Sequence, residues 1–474
     1  MNFPRLLAAA IALAAFAAQA EEPPNIVLVM ADDLGWGDLG YAGHEKVKTP
    51  NFDALAKEGI RFDNFHAAPV GSPTRGSVLT GRCATRFGCF QSGHTLRPQE
   101  ITIAEALRTA GYRTGHFGEW NVGSVQAASP VCPGTSGFDE WVSSPGPFGL
   151  DPILSDQGKA TPFKGDGSDV TVDLALKFIH RCAEAKQRFL ALVWFGSPHE
   201  PHEALDTDKA AYDGLPAQEA AFYAQISAMD RALGRLRSEL KELGLREHTL
   251  LWFCSDNGAQ PRLGSTGGHR GMKGDVYEGG LLVPALMEWP AHTEEAKRIA
   301  APCATTDIYP TLLEIAEVKM ENQPPVDGVN LMPLIDNPDT PRPRPIGFWD
   351  RPAPAHLVQT RQWMQDLLKD QAEGREPDEP KRLMPEAAKL GPPAPLNRFP
   401  GHAAWLEGNW KLHRIEDSKT HHVTWELYDL AADPAESRAL LSEQPERVPA
   451  MEGALEAWLE TVVHSLNGDD YPKP

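Results

Sequence analysis

Two apolar runs in this chain end in side chains that offer only oxygen. Asn-Ile-Val-Leu-Val-Met (25–30) leads through Ala31 to Asp32 and Asp33, and Thr-Leu-Leu-Trp-Phe-Cys (249–254) leads through Ser255 to Asp256 and Asn257. Three carboxylates and an amide, with no thiolate or imidazole among them, suit a hard cation such as Ca²⁺ or Mg²⁺ better than zinc or copper. On spacing alone an Asp-Asp pair reads equally well as a helix cap or a turn.

Continuous apolar runs of this kind predict buried parallel strands covered by helices on both faces. A third such run spans 189–195, and Phe222, Ile226, Met229, Leu233, Leu236 and Leu240 recur at helical spacing between it and the run at 249. Strands alternating with helices predict an α/β fold, a large mixed or parallel sheet sandwiched by helices, with ligands beyond the carboxyl ends of the strands. Composition shifts near residue 335, and 373–400 is rich in proline and charge, the pattern of a surface insertion. Beyond it, 410–413 and 423–428 read as short antiparallel strands and 448–466 as a helix. The organisation expected is a leader at 1–20, an α/β domain at 21–335, a connection with its insertion at 336–400, and a small α+β domain at 401–474.

The leader carries Arg5, an apolar run at 6–17 and Ala18-Gln19-Ala20, the pattern of a cleaved signal peptide, which predicts a periplasmic or extracellular protein. No later run is long enough to span a bilayer. A net charge of −20 disfavours nucleic acid, whose affinity rests on Lys and Arg. The six cysteines form no paired CxxC set, so no structural zinc is expected. They read mostly as buried thiols, with Cys83 and Cys89 the best-placed pair for a local bridge.

The stretch Ala31-Asp32-Asp33-Leu34-Gly35-Trp36-Gly37-Asp38, followed by Thr49-Pro50-Asn51-Phe52, resembles the opening of the formylglycine-dependent sulfatases of the alkaline phosphatase superfamily. The resemblance continues through Ser72-Pro73-Thr74-Arg75, Leu79-Thr80-Gly81-Arg82, Ser197-Pro198-His199, Ser255-Asp256-Asn257-Gly258, Arg270-Gly271-Met272-Lys273-Gly274 and Trp425-Glu426-Leu427-Tyr428. It implies the sulfatase fold with a small C-terminal sheet domain. It also implies a divalent cation, usually calcium, on Asp32, Asp33, Asp256 and Asn257. By motif position Arg75 braces the nucleophile, His199 serves as acid toward the leaving group, and Lys273 contacts the sulfate.

Two departures stand out. The family's oxidised Cys or Ser lies two residues before the motif proline, and here that position is Gly71, so no formylglycine is expected. The neighbouring Ser72 is out of register and reads as a turn serine. The family's Gly-Lys-Trp-His appears as Gly118-Glu119-Trp120-Asn121, placing an anion where the lysine would grip sulfate and Asn121 where the histidine would stand.

These residues predict a metal-dependent hydrolase that does not use formylglycine and acts on an anionic substrate, a small molecule or an oligosaccharide. Glu119 and His199 are its candidate acid and base. The bland reading of Glu119 is an ion pair with Arg75 or Lys273 that closes the site. The alternatives are an inactive relative that binds glycan or anion, and a sulfuric ester hydrolase with an atypical site. Trp36, Trp120, Trp141 and Trp194 could stack on sugars, but core packing is the plainer reading.

Overall fold

The computed structural model describes residues 22–293 and 295–472. The leader at 1–20 lies outside them. Among the described residues no helix is long and apolar enough to cross a membrane.

The largest element is a ten-stranded mixed sheet. At its centre Thr249–Ser255, Asn25–Ala31, Phe189–Trp194 and Arg113–Glu119 run parallel, with Ala31 beside Ser255 and Met30 beside Trp194. Strand alternation sends Ile26, Leu28 and Met30 into one core and Val27, Val29 and Ala31 into the other, and all are buried. The apolar stripe of Ala217–Glu242 covers the second face, together with Gly167–Glu184. Ile103–Thr109, Ile308–Ile315 and the wholly buried helix Gly71–Thr80 cover the first. The expected sheet sandwiched by helices is therefore present.

The second sheet is antiparallel and four-stranded: Ile346–Asp350, Gly401–Glu407, Trp410–Glu416 and Val423–Asp429 in that order, backed by Arg447–Leu466. Its first strand comes from the segment read from sequence as a connection. Thr360–Ala372, from the same segment, sends Met364 and Leu367 into the core of the large domain.

The expected Cys83–Cys89 bridge is not formed; all six cysteines are free. The short turn Ala84–Phe87 carries Cys89 into the apolar core, while Cys83 stays half-buried with its N–H on Asp327 Oδ2 at 2.6 Å. Trp120, Trp141 and Trp194 are core residues.

A buried polar network joins the large domain to the four-stranded sheet. Glu278 accepts from Lys411 Nζ at 2.7 Å and pairs with His66 Nε2 at 3.0 Å, while Glu436 takes Lys411 at 3.1 Å and His413 at 2.7 Å. Burial would raise the Glu278 carboxyl, but Lys411 and His66 outweigh it and hold the group well below the usual range. Lys411→Met leaves two buried carboxylates without their ammonium partner. It should cost about 3–5 kcal/mol, read as a lower denaturation midpoint. A variant as stable as the parent would show that the network contributes nothing.

Candidate active site

The central parallel strands end side by side, so whatever follows them is gathered at one edge of the sheet. Asp32 and Asp33 follow the first, Asp256 and Asn257 follow its neighbour on one side, and His199 comes five residues after its neighbour on the other. Glu119 is the last residue of the next strand. Two ladder-like bonds extend the pairing into the site, Asp256 N–H to Ala31 O at 3.1 Å and Asp32 N–H to Ser197 O at 3.0 Å. Consecutive strand residues would point to opposite faces, but Asp33 turns into the left-handed region at φ 68°. Its N–H then reaches Asp256 Oδ1 at 3.0 Å, and its Oδ1 accepts from Asn257 Nδ2 at 2.9 Å. Asp33 is thereby bonded to both Asp256 and Asn257, and Asp32 lies beside them at the same sheet edge.

The buried helix from Gly71 starts at the same place and sets Gly71 and Arg75 one turn apart on one face. Arg75 is fully buried. It donates through Nη1 to Glu119 O at 3.0 Å and through Nη2 to Glu119 Oε2 at 2.9 Å and Asp256 Oδ2 at 3.1 Å, with Asp32 Oδ2 at 3.8 Å. Of the two partners foreseen for Glu119, the structure selects Arg75. The carboxylate is wholly buried against that guanidinium and beside Asp32 rather than turned toward solvent, which argues against Glu119 as a base acting on substrate. Asn121 follows with φ 47° and makes no side-chain hydrogen bond among the described residues. Ser72 Oγ accepts from Gly93 N–H at 2.9 Å, the backbone-bonding role expected of it.

Lys273 and His199 form the more open side. Lys273 Nζ sits 2.5 Å from Asp33 Oδ1, and His199 Nε2 sits 3.7 Å from Asp33 Oδ2. The lysine loop is pinned by Lys273 N–H to Ala259 O at 3.0 Å and Gly274 N–H to Pro69 O at 2.8 Å. Arg270, three residues earlier, donates to Tyr428 Oη at 2.8 Å and Glu436 O at 3.1 Å in the small domain. Sequence reasoning missed this tether, because nothing local links 270 to 428.

Four carboxylates thus face two fixed cations, and the titration of the group follows. Burial, then the charge of Glu119, raises Asp32 well above the usual range; burial, then Asp32, pushes Asp256 up to about 7. Burial also raises Glu119. Asp33 is lowered instead, because Lys273 and His199 outweigh its burial, and the acids beside His199 raise it against burial in turn. Asp32 Oδ2 and Asn257 Oδ1 are buried without a hydrogen-bond donor. Asp32, Asp33 and His199 each offer a ligand atom, all within 4.8 Å of one another. Excess buried anion and orphaned oxygens fit a hard divalent cation.

A Cβ at position 71 would press into Asp256 Oδ2, with Asp256 Cγ only 3.3 Å away, and that carboxylate is held by Asp33 N–H and Arg75. Gly71→Ser should therefore destabilise the protein by about 1–3 kcal/mol. A serine variant melting with the parent would mean that Asp256 is free to move aside.

The profile of the Sulfatase family matches residues 24–318, which carry every site residue named above. The chain belongs to the Sulfatase family. It is 32% identical to rat N-acetylgalactosamine-6-sulfatase over 383 residues, covering 70% of this chain and 71% of the relative. It is 33% identical to human arylsulfatase A over 372 residues, covering 71% of each. Among solved structures, Ps i-CgsB in complex with k-i-k-neocarrahexaose superposes with a TM-score of 0.75 at 24% identity, covering 92% of this chain and 93% of that one. This last likeness is one of fold and confirms the large mixed sheet with a smaller antiparallel one.

Proposed function

We propose that this sulfatase-family protein is exported and hydrolyses a sulfate ester of a carbohydrate, with water rather than residue 71 as nucleophile and Ca²⁺ on Asp32, Asp33, Asp256 and Asn257. The observation that carries this reading is the division of the site. The inner wall at Gly71, Glu119 and Arg75 is rebuilt and closed, while His199 and Lys273 remain partly exposed beside Asp33. Relatives named for sugar sulfates support the substrate class. Bound, the cation would polarise an ester oxygen and offset the surplus of carboxylates. Lys273 contacts the anionic group. His199 protonates the departing sugar oxygen as water adds to sulfur and the S–O ester bond breaks; of the two protons the added water then gives up to leave sulfate, one restores His199 and the other passes to solvent. Arg75 and Glu119 keep the wall neutral and touch no substrate.

The test is sulfate release from N-acetylgalactosamine 6-sulfate in the presence of Ca²⁺. His199→Ala should lower kcat by about 10²-fold or more. A second reading, a glycan-binding relative without turnover, is favoured by the carboxylate partners that Arg75 and Lys273 already have. Cation-dependent binding of the same sugar with no sulfate released selects it over the first.

A further inference from the structure

A large cleft lies outside the oxygen-rich site. It encloses about 1100 Å³ between the loop at 87–97, the segment at 351–363 and the proline-rich insertion. In a chain of net charge −20, two cations on its lining, Arg351 and Lys381, form no ion pair among the described residues, while Arg97 is buried with its Nη2 on Leu466 O at 3.0 Å. The other two basic residues on the lining do find carboxylates. Arg382 pairs with Asp366 at 3.0 Å and Glu379 at 3.3 Å, and Lys389 pairs with Glu386. Both acids of the lining are thereby neutralised, and the surplus positive charge open to the cleft rests on Arg351 and Lys381.

The same lining offers flat and apolar surface. Arg351 lies over the Phe90 ring, 4.8 Å from its centroid, and Trp363 is half-buried. Leu357, 82% exposed, is the barest large apolar side chain described. Spaced cations beside aromatic faces recognise a chain of rings that carries anions.

The cleft adjoins the site through its wall. Gly93 N–H bonds Ser72 Oγ at 2.9 Å, one residue from Gly71, and His356 N–H bonds Ser92 O at 2.9 Å. His94 and His356 stack with centroids 4.7 Å apart. Position 93 must be glycine here, because its φ is 77° and a Cβ would run into His356 O.

We infer that this cleft receives the continuing chain of a polyanionic oligosaccharide, its sulfate or carboxylate groups meeting Arg351 and Lys381. The inference rests on the reading of the site as one for sulfated carbohydrate and extends it from a single sugar to a polymer. Titration calorimetry of the full chain with Ca²⁺ tests it, using a chondroitin 6-sulfate hexasaccharide and neutral cellohexaose as probes. The sulfated probe should bind, weaken as ionic strength rises, and bind about tenfold more weakly to the Arg351→Gln/Lys381→Gln double variant, whose melting point confirms its fold. Cellohexaose should not bind. Absence of binding by the parent, equal binding by the double variant, or equal binding of cellohexaose overturns the proposal. Sulfate release from the monosaccharide is read separately. Its loss with hexasaccharide binding intact rejects the hydrolase and keeps the cleft, and the reverse result rejects the cleft and keeps the hydrolase.

Discussion

Glu119→Lys, which restores the residue type of the family motif, should destabilise the protein severely instead of activating it. The new ammonium would lie against the buried Arg75 guanidinium, which now holds Glu119 Oε2 at 2.9 Å. Removing the partner of a buried charge costs about 3–5 kcal/mol, and the added repulsion increases the loss. Glu119→Gln, which keeps the shape and one acceptor, should cost less. Chemical denaturation of the two variants beside the parent checks the order. A lysine variant as stable as the parent would show that Asp256 and Asp32 satisfy Arg75 without help.

Divalent cation should stabilise the parent strongly, and Asp32→Asn should reverse the comparison. Without cation, Asp32, Asp33, Asp256 and Glu119 outnumber Arg75 and Lys273, so removing one buried charge relieves repulsion and the variant should equal or exceed the parent in stability. With Ca²⁺ at about a hundred times its Kd, the parent gains about 2.7 kcal/mol, and the variant, short of a ligand charge, should gain little. Thermal denaturation in Ca²⁺, Mg²⁺ and chelator reads both signs. A parent indifferent to both cations, or a variant that keeps the full shift, removes the metal from Asp32.

The strand ends were legible in the sequence because apolar runs that stop at Asp32 and at Asp256 carry their own boundaries, and parallel packing then brings those boundaries together. The register of Gly71 was legible from Pro73 and Arg75 within one turn of helix. What the sequence left open depended on distance in space. Whether Glu119 meets Arg75 or Lys273 is decided by residues 44 and 154 positions away, and both cations suit it equally by type. The lean of Asp256 into the place of a residue-71 side chain follows from hydrogen bonds to Asp33 and Arg75 that no spacing encodes. The cysteine pair was misleading for a related reason: six positions of separation say nothing of the turn at Ala84–Phe87 that sends the two thiols different ways.

Arg270 gives the small sheet a part in the chemistry of the large one. The family match ends at residue 318, yet the loop bearing Lys273 is moored to Tyr428 and Glu436, more than a hundred residues further on. A fragment cut at the family boundary would retain Asp32, Asp33, Asp256 and Asn257 while the outer mooring of the Lys273 loop vanished. The loop that carries Lys273 is therefore held in part by a portion of the chain beyond the piece by which its kinship is recognised.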